Sequence, residues 1–552
     1  MSAARTANEE TDRTPGRWRT VLKWVILAVL MGVISGLAAA LLVSAVAWAT
    51  SALQGGLVGY KPATTNGDGA VHAASALGRP WVLPLVTAGG ALAASLIILA
   101  LKAPETSGHG TDAAIAAARE NPAGVRSRVA TVKTVTASLT IGSGGSGGTE
   151  GPITQIAGAL GSWLSRRAEL NVQEARTLYM AGLGSGIGAI FRSPLSGGLL
   201  AAELLYRRGL ALGILLPGAL ASAAAYGSFG AVHGFGSMFG DLWLEVIPSP
   251  HDVPVYAVLG LTCGMAGRLY CRSFYGVSAL TERLIRRSPG RRALPAWAPP
   301  ALGGLAVGFL GMAVPEVLGP GFGTIQHLLS PHAVRQMSLW LVLLLPLAKI
   351  AATSLSIGTG GPGGVFGPGL LIGAATGVAI WRVFSPLGIA PEGPLVFAII
   401  GMAACLGAII HAPLGVTILV LESTRSPGLF LPTAVAMAAS CWLVGDQTLY
   451  RSQDLADGYR IIDPLRALCS ALRRVLVRRR GRVRTAETMA DGVPADVAEA
   501  RSASTVPLVL QDAAAIQDPA ADEYRGDAPG RTPRRDGEVM AHGRRGRYGP
   551  PG

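Results

Sequence analysis

Two glycine-rich segments in this chain have nearly the same sequence. Residues 141–152 read IGSGGSGGTEGP and residues 357–368 read IGTGGPGGVFGP, and they align without gaps at an offset of 216 residues. Glycines allow successive backbone N–H groups to point into one cavity, and the proline that ends each segment suits the first turn of a helix. A helix N-terminus has free N–H donors and about half a positive charge. The pair therefore predicts an anion site made of backbone dipoles, which bind loosely enough for the anion to be released.

The match between the two segments breaks at one informative position, where Glu150 corresponds to Phe366. A carboxylate beside an anion-binding helix end competes with the anion for the same N–H donors. Glu150 is therefore predicted to be a protonatable gate, which blocks the site when charged and leaves it when neutral. The alternative is a glutamate that caps the first turn of a helix. The G-x-G-x-x-G match does not indicate a nucleotide site, because no strand-helix-strand pattern surrounds it.

A second pair of matching segments indicates that the chain is duplicated. Residues 188–203 read GAIFRSPLSGGLLAAE and residues 407–422 read GAIIHAPLGVTILVLE, at an offset of 219 residues. Two motifs in the same order with nearly the same offset predict two homologous halves. Duplicated halves with interrupted apolar segments are typical of transporters and channels whose site lies between the halves. The repeat alone leaves open whether the halves are parallel or inverted.

The composition predicts an integral membrane protein. Of 552 residues, 50% are hydrophobic and 14% are charged, whereas a soluble protein has about 25% charged residues. The 74 glycines fit close helix packing in a membrane. Long uncharged stretches recur at residues 24–53, 80–101, 209–240, 350–381 and 393–421. Several are longer than the roughly 20 residues that span a bilayer and are broken by Gly and Pro, so discontinuous helices are expected.

The distribution of charge predicts four parts and their topology. Residues 1–20 form a cytoplasmic N-terminus, 21–240 and 241–465 two membrane repeats, and 466–552 an Arg-rich tail that we expect to be disordered. Basic clusters before the first and after the last apolar stretch place both termini in the cytoplasm. The net charge of +14 is read as contact with anionic lipid, with nucleic acid the weaker alternative. The five cysteines and eight histidines show no metal or disulfide spacing, so we expect no metal, no cofactor and no enzyme activity.

Four short motifs resemble those of the CLC family of chloride channels and chloride/proton exchangers. GTEGP at 148–152 resembles its G-(K/R)-E-G-P motif and GVFGP at 364–368 its G-x-F-x-P motif. TSGHG at 106–110 is similar to G-S-G-I-P, and Tyr450 in QTLYRSQ to the pore tyrosine of the family. The resemblance implies an all-α membrane fold, an inverted repeat of about 18 helical segments and a homodimer with one pore in each subunit. It also implies a multi-pass protein of the bacterial inner membrane.

The resemblance also implies roles for individual residues. Glu150 is the external gate. The anion-binding residues are Ser107, Gly108, Gly151, Val365, Phe366 and Tyr450. Ser107 and Tyr450 offer hydroxyl groups to the central anion, and Val365 and Phe366 offer backbone N–H groups. On their own residue types, Ser107 equally fits a helix cap and Tyr450 an aromatic of the membrane interface.

The departures from the family pattern bear on mechanism. The acidic residue that receives cytoplasmic protons in exchangers is replaced by Leu204, and the neighbouring Glu203 has a proton-carrying or a structural role. Thr149 stands where the family has Lys or Arg. His109 replaces an isoleucine, and it is either a titratable group or an ordinary packed histidine. The tail is too short for a complete pair of CBS modules.

These features predict chloride transport, passive or weakly proton-coupled, through a pore gated by Glu150. The alternative is a stoichiometric chloride/proton exchanger with another internal proton route. A membrane-embedded enzyme or a basic scaffold belongs to a different class of function. Neither explains why Glu150 corresponds to Phe366 in otherwise matched glycine loops. The expected partners are chloride, protons in the exchanger case, a second copy of the chain and the lipid bilayer.

Overall fold

The computed structural model describes residues 14–65, 73–244, 251–286, 294–390 and 393–454. These ranges belong to one compact unit and contain seventeen α-helices and no strand. The all-helical fold expected from the sequence is confirmed. The predicted Arg-rich tail, its basic cluster and most of the basic N-terminus lie outside the described residues.

The helices differ in length, and each half begins with its longest helix. Their bounds are α1 Thr14–Thr50, α2 Leu83–Ala100, α3 Gly110–Glu120, α4 Arg128–Gly142, α5 Glu150–Arg167, α6 Val172–Ile190, α7 Pro194–Glu203, α8 Leu212–His233, α9 Val253–Ile285, α10 Ala298–Ala313, α11 Phe322–Leu328, α12 Pro331–Gln336, α13 Leu339–Ile357, α14 Phe366–Phe384, α15 Pro394–Ile409, α16 Pro413–Ser423 and α17 Phe430–Val444. A π-helix, Ser51–Val58, continues α1, and single 3₁₀ turns at Pro80–Val82, Pro104–Thr106, Pro315–Val317, Ser385–Leu387 and Pro427–Leu429 lie between the helices.

Six stretches of the described residues are long and apolar enough to cross a membrane. The uncharged stretch 350–381 is interrupted, as expected: α13 ends at Ile357 and α14 begins at Phe366. Several tryptophans are more than 60% exposed on the outside of the unit: Trp18, Trp48, Trp81, Trp243, Trp340 and Trp442. Exposed tryptophans are typical of the boundary between lipid and water.

The helices of the first half recur in the same order in the second, and the two halves are inverted. Glu203, at the end of α7, accepts the backbone N–H groups of Leu414 and Gly415 at the start of α16, at 3.1 and 2.6 Å. Glu422, at the end of α16, accepts the equivalent two N–H groups at the start of α7, at 3.2 and 3.1 Å. The two equivalent helices therefore run antiparallel, each capped by the glutamate of the other. A two-fold axis across these helices relates the halves, which resolves the question left open by the repeat.

Two buried lysines occupy equivalent places in the halves. Lys133 in α4 donates to the carbonyl oxygens of Thr106 and Gly108 at 2.9 and 2.8 Å. Lys349 in α13 donates to those of Val317 and Gly319, both at 2.8 Å. The carbonyls belong to a third repeated motif, PETSGHG and PEVLGPG, that sequence reasoning missed. Each buried ammonium group thus fixes the loop before the next short helix with charge-assisted hydrogen bonds.

Close helix packing depends on glycine at the crossing of α14 and α15. A Cβ atom on Gly373 would overlap the carbonyl oxygen of Gly401, and a Cβ atom on Gly401 would overlap that of Gly373. The two backbones are therefore in direct contact at this crossing. This is the packing by small residues that the high glycine content predicts.

We expect Gly401→Ala to destabilise the fold by about 1–3 kcal/mol or more, because the added methyl group forces the two backbones apart. The matched control is Gly276→Ala in α9, where an added Cβ atom meets nothing within 4 Å. That change should leave stability unaltered or raise it slightly, since alanine is the better helix former. Thermal unfolding of the purified variants in detergent measures both effects. Equal unfolding midpoints for the two variants would show that the close approach is not required.

Candidate anion site

The two glycine-rich loops meet each other at the centre of the unit. The N–H group of Gly148 donates to the carbonyl of Gly364 at 2.8 Å, and the N–H of Gly364 donates back to Gly148 at 2.7 Å. This reciprocal antiparallel pair joins equivalent residues of the two halves, so the two-fold relation passes between them. Gly151 packs so closely against Gly364 that a Cβ atom would lie 2.7 Å from its Cα. The N-termini of α5 and α14 are consequently held side by side.

Glu150 lies between these two helix ends. It is the first residue of α5, is fully buried, and its Oε2 accepts the N–H group of Gly367 in the first turn of α14 at 3.2 Å. Its Oε1 has no hydrogen-bond partner among the described residues. Lys349 is the basic side chain that acts electrostatically on it. The carboxylate therefore uses a backbone donor of one half while its own helix belongs to the other.

The start of α14 supplies further free donors. No described residue accepts the N–H groups of Val365 or Phe366. The carbonyl of Val365 accepts the buried hydroxyl of Tyr270 at 3.1 Å, and the Phe366 ring packs on Phe191 with centroids 5.5 Å apart. These contacts hold the helix end in place. An anion there would meet two N–H groups and the positive end of the helix dipole.

The loop that carries Ser107 joins the same glycine loop. The Ser107 hydroxyl donates to the carbonyl of Gly360 at 2.8 Å, and the N–H of Gly108 donates to the same oxygen at 2.9 Å. Gly108 has φ +64°, a left-handed conformation that suits glycine. Ser107 itself is exposed. In this arrangement its hydroxyl hydrogen is engaged by Gly360, so it must rotate before it can donate to an anion.

Tyr450 is fully buried in the loop that follows α17. Its hydroxyl makes no hydrogen bond of normal geometry to the described residues, and Thr111 lies beside it. The loop is anchored by Gln453, whose side-chain amide donates to the carbonyls of Leu204 and Ile410 at 3.2 and 2.8 Å. A buried phenol that lacks an acceptor of normal geometry leaves its O–H available to an anion.

The residues considered for internal proton transfer lie at the end of α7. Both carboxylate oxygens of Glu203 are engaged by the start of α16, as described above. Leu204 is fully buried.

Thr149, where a basic residue was expected from the resemblance, is only 4% exposed. No group of three or more His, Cys, Asp or Glu in the described ranges could hold a metal ion.

Three features of the site escaped the sequence reasoning. The carbonyl partners of Lys133 and Lys349 were not predicted. The third repeated motif could have been found by aligning PETSGHG with PEVLGPG, whose proline, glutamate and two glycines coincide. His109 stacks on Tyr450, with ring centroids 6.0 Å apart. Nothing in the sequence indicates this contact, because the two residues are 341 positions apart.

Comparisons with known proteins agree with this architecture. A family model described as "Voltage gated chloride channel" matches residues 89–445. The putative chloride channel protein ClcB-like of Ralstonia nicotianae is 33% identical over 376 residues, which cover 66% of this chain and 82% of the relative. The H(+)/Cl(-) exchange transporter ClcA of Salmonella agona is 29% identical over 465 residues, covering 80% and 90%.

A solved structure has the same fold. The crystal structure of a slow cyanobacterial Cl-/H+ antiporter superposes with a TM-score of 0.66 at 23% identity, over 77% of this chain and 96% of that one. The family model covers more than half of this chain, and the apolar helices of the unit fit several membrane crossings. The protein is therefore a multi-pass membrane protein that belongs to the CLC family of voltage gated chloride channels.

Proposed function

We propose that chloride crosses this protein between the N-termini of α5 and α14, past the loops of Ser107 and Tyr450, and that Glu150 opens and closes the path. One observation carries the proposal: the buried Glu150 carboxylate accepts the N–H group of Gly367, in the place where the helix end would receive an anion. The chloride transport common to the family then depends here on a competition between a carboxylate and chloride.

The free donors around Glu150 support chloride binding that is weak enough for the ion to be released. The N–H groups of Val365 and Phe366 and the Tyr450 hydroxyl are available donors, and none carries a full charge. A site of partial charges desolvates chloride and still releases it. Lys349, the nearby full charge, is held by two carbonyl oxygens away from direct coordination.

Protonation of Glu150 removes the competitor. A neutral carboxyl group loses its charge-assisted hydrogen bond to Gly367 and its attraction to the helix dipole. The side chain can then leave and chloride can take its donors. Low pH therefore favours the open path.

We further propose that coupling to protons is weak or absent. Leu204 cannot carry a proton, and both oxygens of Glu203 are engaged in capping α16. Glu422 makes the same contacts in the other half, which favours a structural role for both glutamates. The second candidate is a stoichiometric chloride/proton exchanger, favoured by the likeness to the Salmonella exchange transporter.

The assembly we propose is a homodimer with one pore in each subunit, in a bacterial inner membrane. Its basis is the CLC membership together with the exposed apolar side chains of the unit. The basic clusters of the sequence support cytoplasmic termini. Transport, not catalysis of a chemical reaction, is the activity expected of such a protein.

Chloride flux at saturating chloride should fall by about tenfold or more from pH 4.5 to pH 8.5 (approximate assay limits), because ionised Glu150 holds the anion donors. In Glu150→Gln the flux should stay at its acidic level throughout this range, since the amide cannot ionise. Efflux from liposomes that contain the purified protein measures both. Glu282→Gln, a change at an exposed carboxylate of α9, should behave as the unaltered protein. If Glu150→Gln kept the pH profile of the unaltered protein, Glu150 would not be the gate.

A chloride gradient across protein-containing liposomes should run down with little movement of protons, and Glu203→Gln should not alter the ratio of the two fluxes. The variant should instead lower the thermal unfolding midpoint, because it weakens two charge-assisted hydrogen bonds to α16. A chloride electrode and a pH indicator record the two fluxes together. Uphill proton flux at a fixed ratio to chloride that disappears in Glu203→Gln would establish the exchanger instead.

A further inference from the structure

His109 has an unusual environment for a histidine. Its ring stacks on that of Tyr450 with centroids 6.0 Å apart and planes 21° apart, and meets Phe274 edge-on at 5.3 Å. Its Nδ1 is buried and has no hydrogen-bond partner among the described residues. The residue precedes α3 and is two positions from Ser107. An imidazole therefore lies against the aromatic ring of the proposed anion site, and its buried Nδ1 has no partner among the described residues.

We propose that His109 binds a proton together with chloride, so that the imidazolium becomes the counter-ion of the anion beside Tyr450. This rests on the proposed function, since it concerns the same anion site, but it acts separately from Glu150. Glu150 excludes chloride when it loses its proton, whereas His109 strengthens chloride binding when it gains one. The proton is exchanged with water on one side of the membrane only, so it is not carried across with the anion.

Fixed charges of both signs lie around His109. The titratable and charged groups that surround the imidazole and the Tyr450 ring are Asp112 on α3, Lys133 on α4, Glu150 on α5, Tyr270 and Tyr275 on α9, and Arg451 next to Tyr450. Asp112 accepts the N–H group of Ser452 at 2.8 Å, and Lys133 donates to the carbonyl of Gly108 at 2.8 Å. These two groups have opposite charges and opposite effects on the imidazole.

Chloride is therefore the charge that would shift His109 from its neutral to its protonated form. An imidazolium whose Nδ1–H is buried without a counter-ion is costly, and the N-terminus of α3 opposes it as well. Chloride at the Tyr450 hydroxyl offers that counter-ion, and the Tyr450 ring face adds a cation–π contact. By linkage, a proton that favours the anion must be favoured by it to the same extent. Chloride binding should then take up a proton.

The test is chloride binding in the Glu150→Gln background, where the gate can no longer ionise. Isothermal titration calorimetry should show chloride affinity at least about tenfold higher near pH 5 than near pH 8, as expected when a neighbouring group gains a unit charge of opposite sign. Addition of chloride to the weakly buffered protein near pH 5 to 6 should take up a proton, approaching one per subunit. Both measurements keep His109 in place, so they do not depend on the folding of a His109 variant.

Two variants in the same background assign the effect. Glu150→Gln with His109→Gln should bind chloride equally at both pH values and take up no proton. Glu150→Gln with His332→Gln, a change at an exposed histidine of α12, should retain the pH dependence. pH-independent affinity in the parent, or pH dependence that survives His109→Gln, would overturn the assignment and leave the proposed function intact. Failure of Glu150→Gln to bind chloride at either pH would overturn the proposed function as well.

Discussion

The reciprocal hydrogen bonds between Gly148 and Gly364 are the constraint on which the rest of the site depends. They hold two helix N-termini together where no side chain fits between them, and this creates a concentration of N–H donors in the interior of a membrane protein. A carboxylate in this place competes with an anion, because Glu150 accepts a backbone N–H group of the opposite helix. The close approach of the two loops explains why the two motifs agree in their glycines.

The inverted repeat also organises the buried charges. Each half contributes one lysine that fixes a loop and one glutamate that caps a helix of the other half. These four groups are engaged by backbone atoms, so they stabilise the framework without presenting a full charge to the anion. Glu150 and His109 are different: each retains a buried polar atom with no partner among the described residues. The distinction separates groups that hold the fold from groups available to respond to chloride and protons.

Much of this could be predicted from the sequence, because the repeat carries it. The matched glycine loops predicted adjacent helix ends, and Glu150 opposite Phe366 predicted where the halves differ. The all-helical fold, the broken apolar stretches and the family are confirmed. The inverted repeat, which the matched segments left open and the resemblance implied, is confirmed. The cross-capping of Glu203 and Glu422 and the ring contact of His109 could not be predicted, because they join residues far apart in the chain. The direction of the Ser107 hydroxyl, toward Gly360, is likewise a tertiary property.

The central claim is that Glu150 occupies the position of an anion at the start of α14. Anomalous diffraction from crystals of Glu150→Gln grown in bromide tests it most directly, because bromide can be located by its own signal. A bromide ion is expected within hydrogen-bonding distance of the N–H group of Gly367, where the unaltered protein has the carboxylate. The claim would be contradicted if a well-folded variant bound bromide elsewhere along the path and none lay beside the N–H group of Gly367.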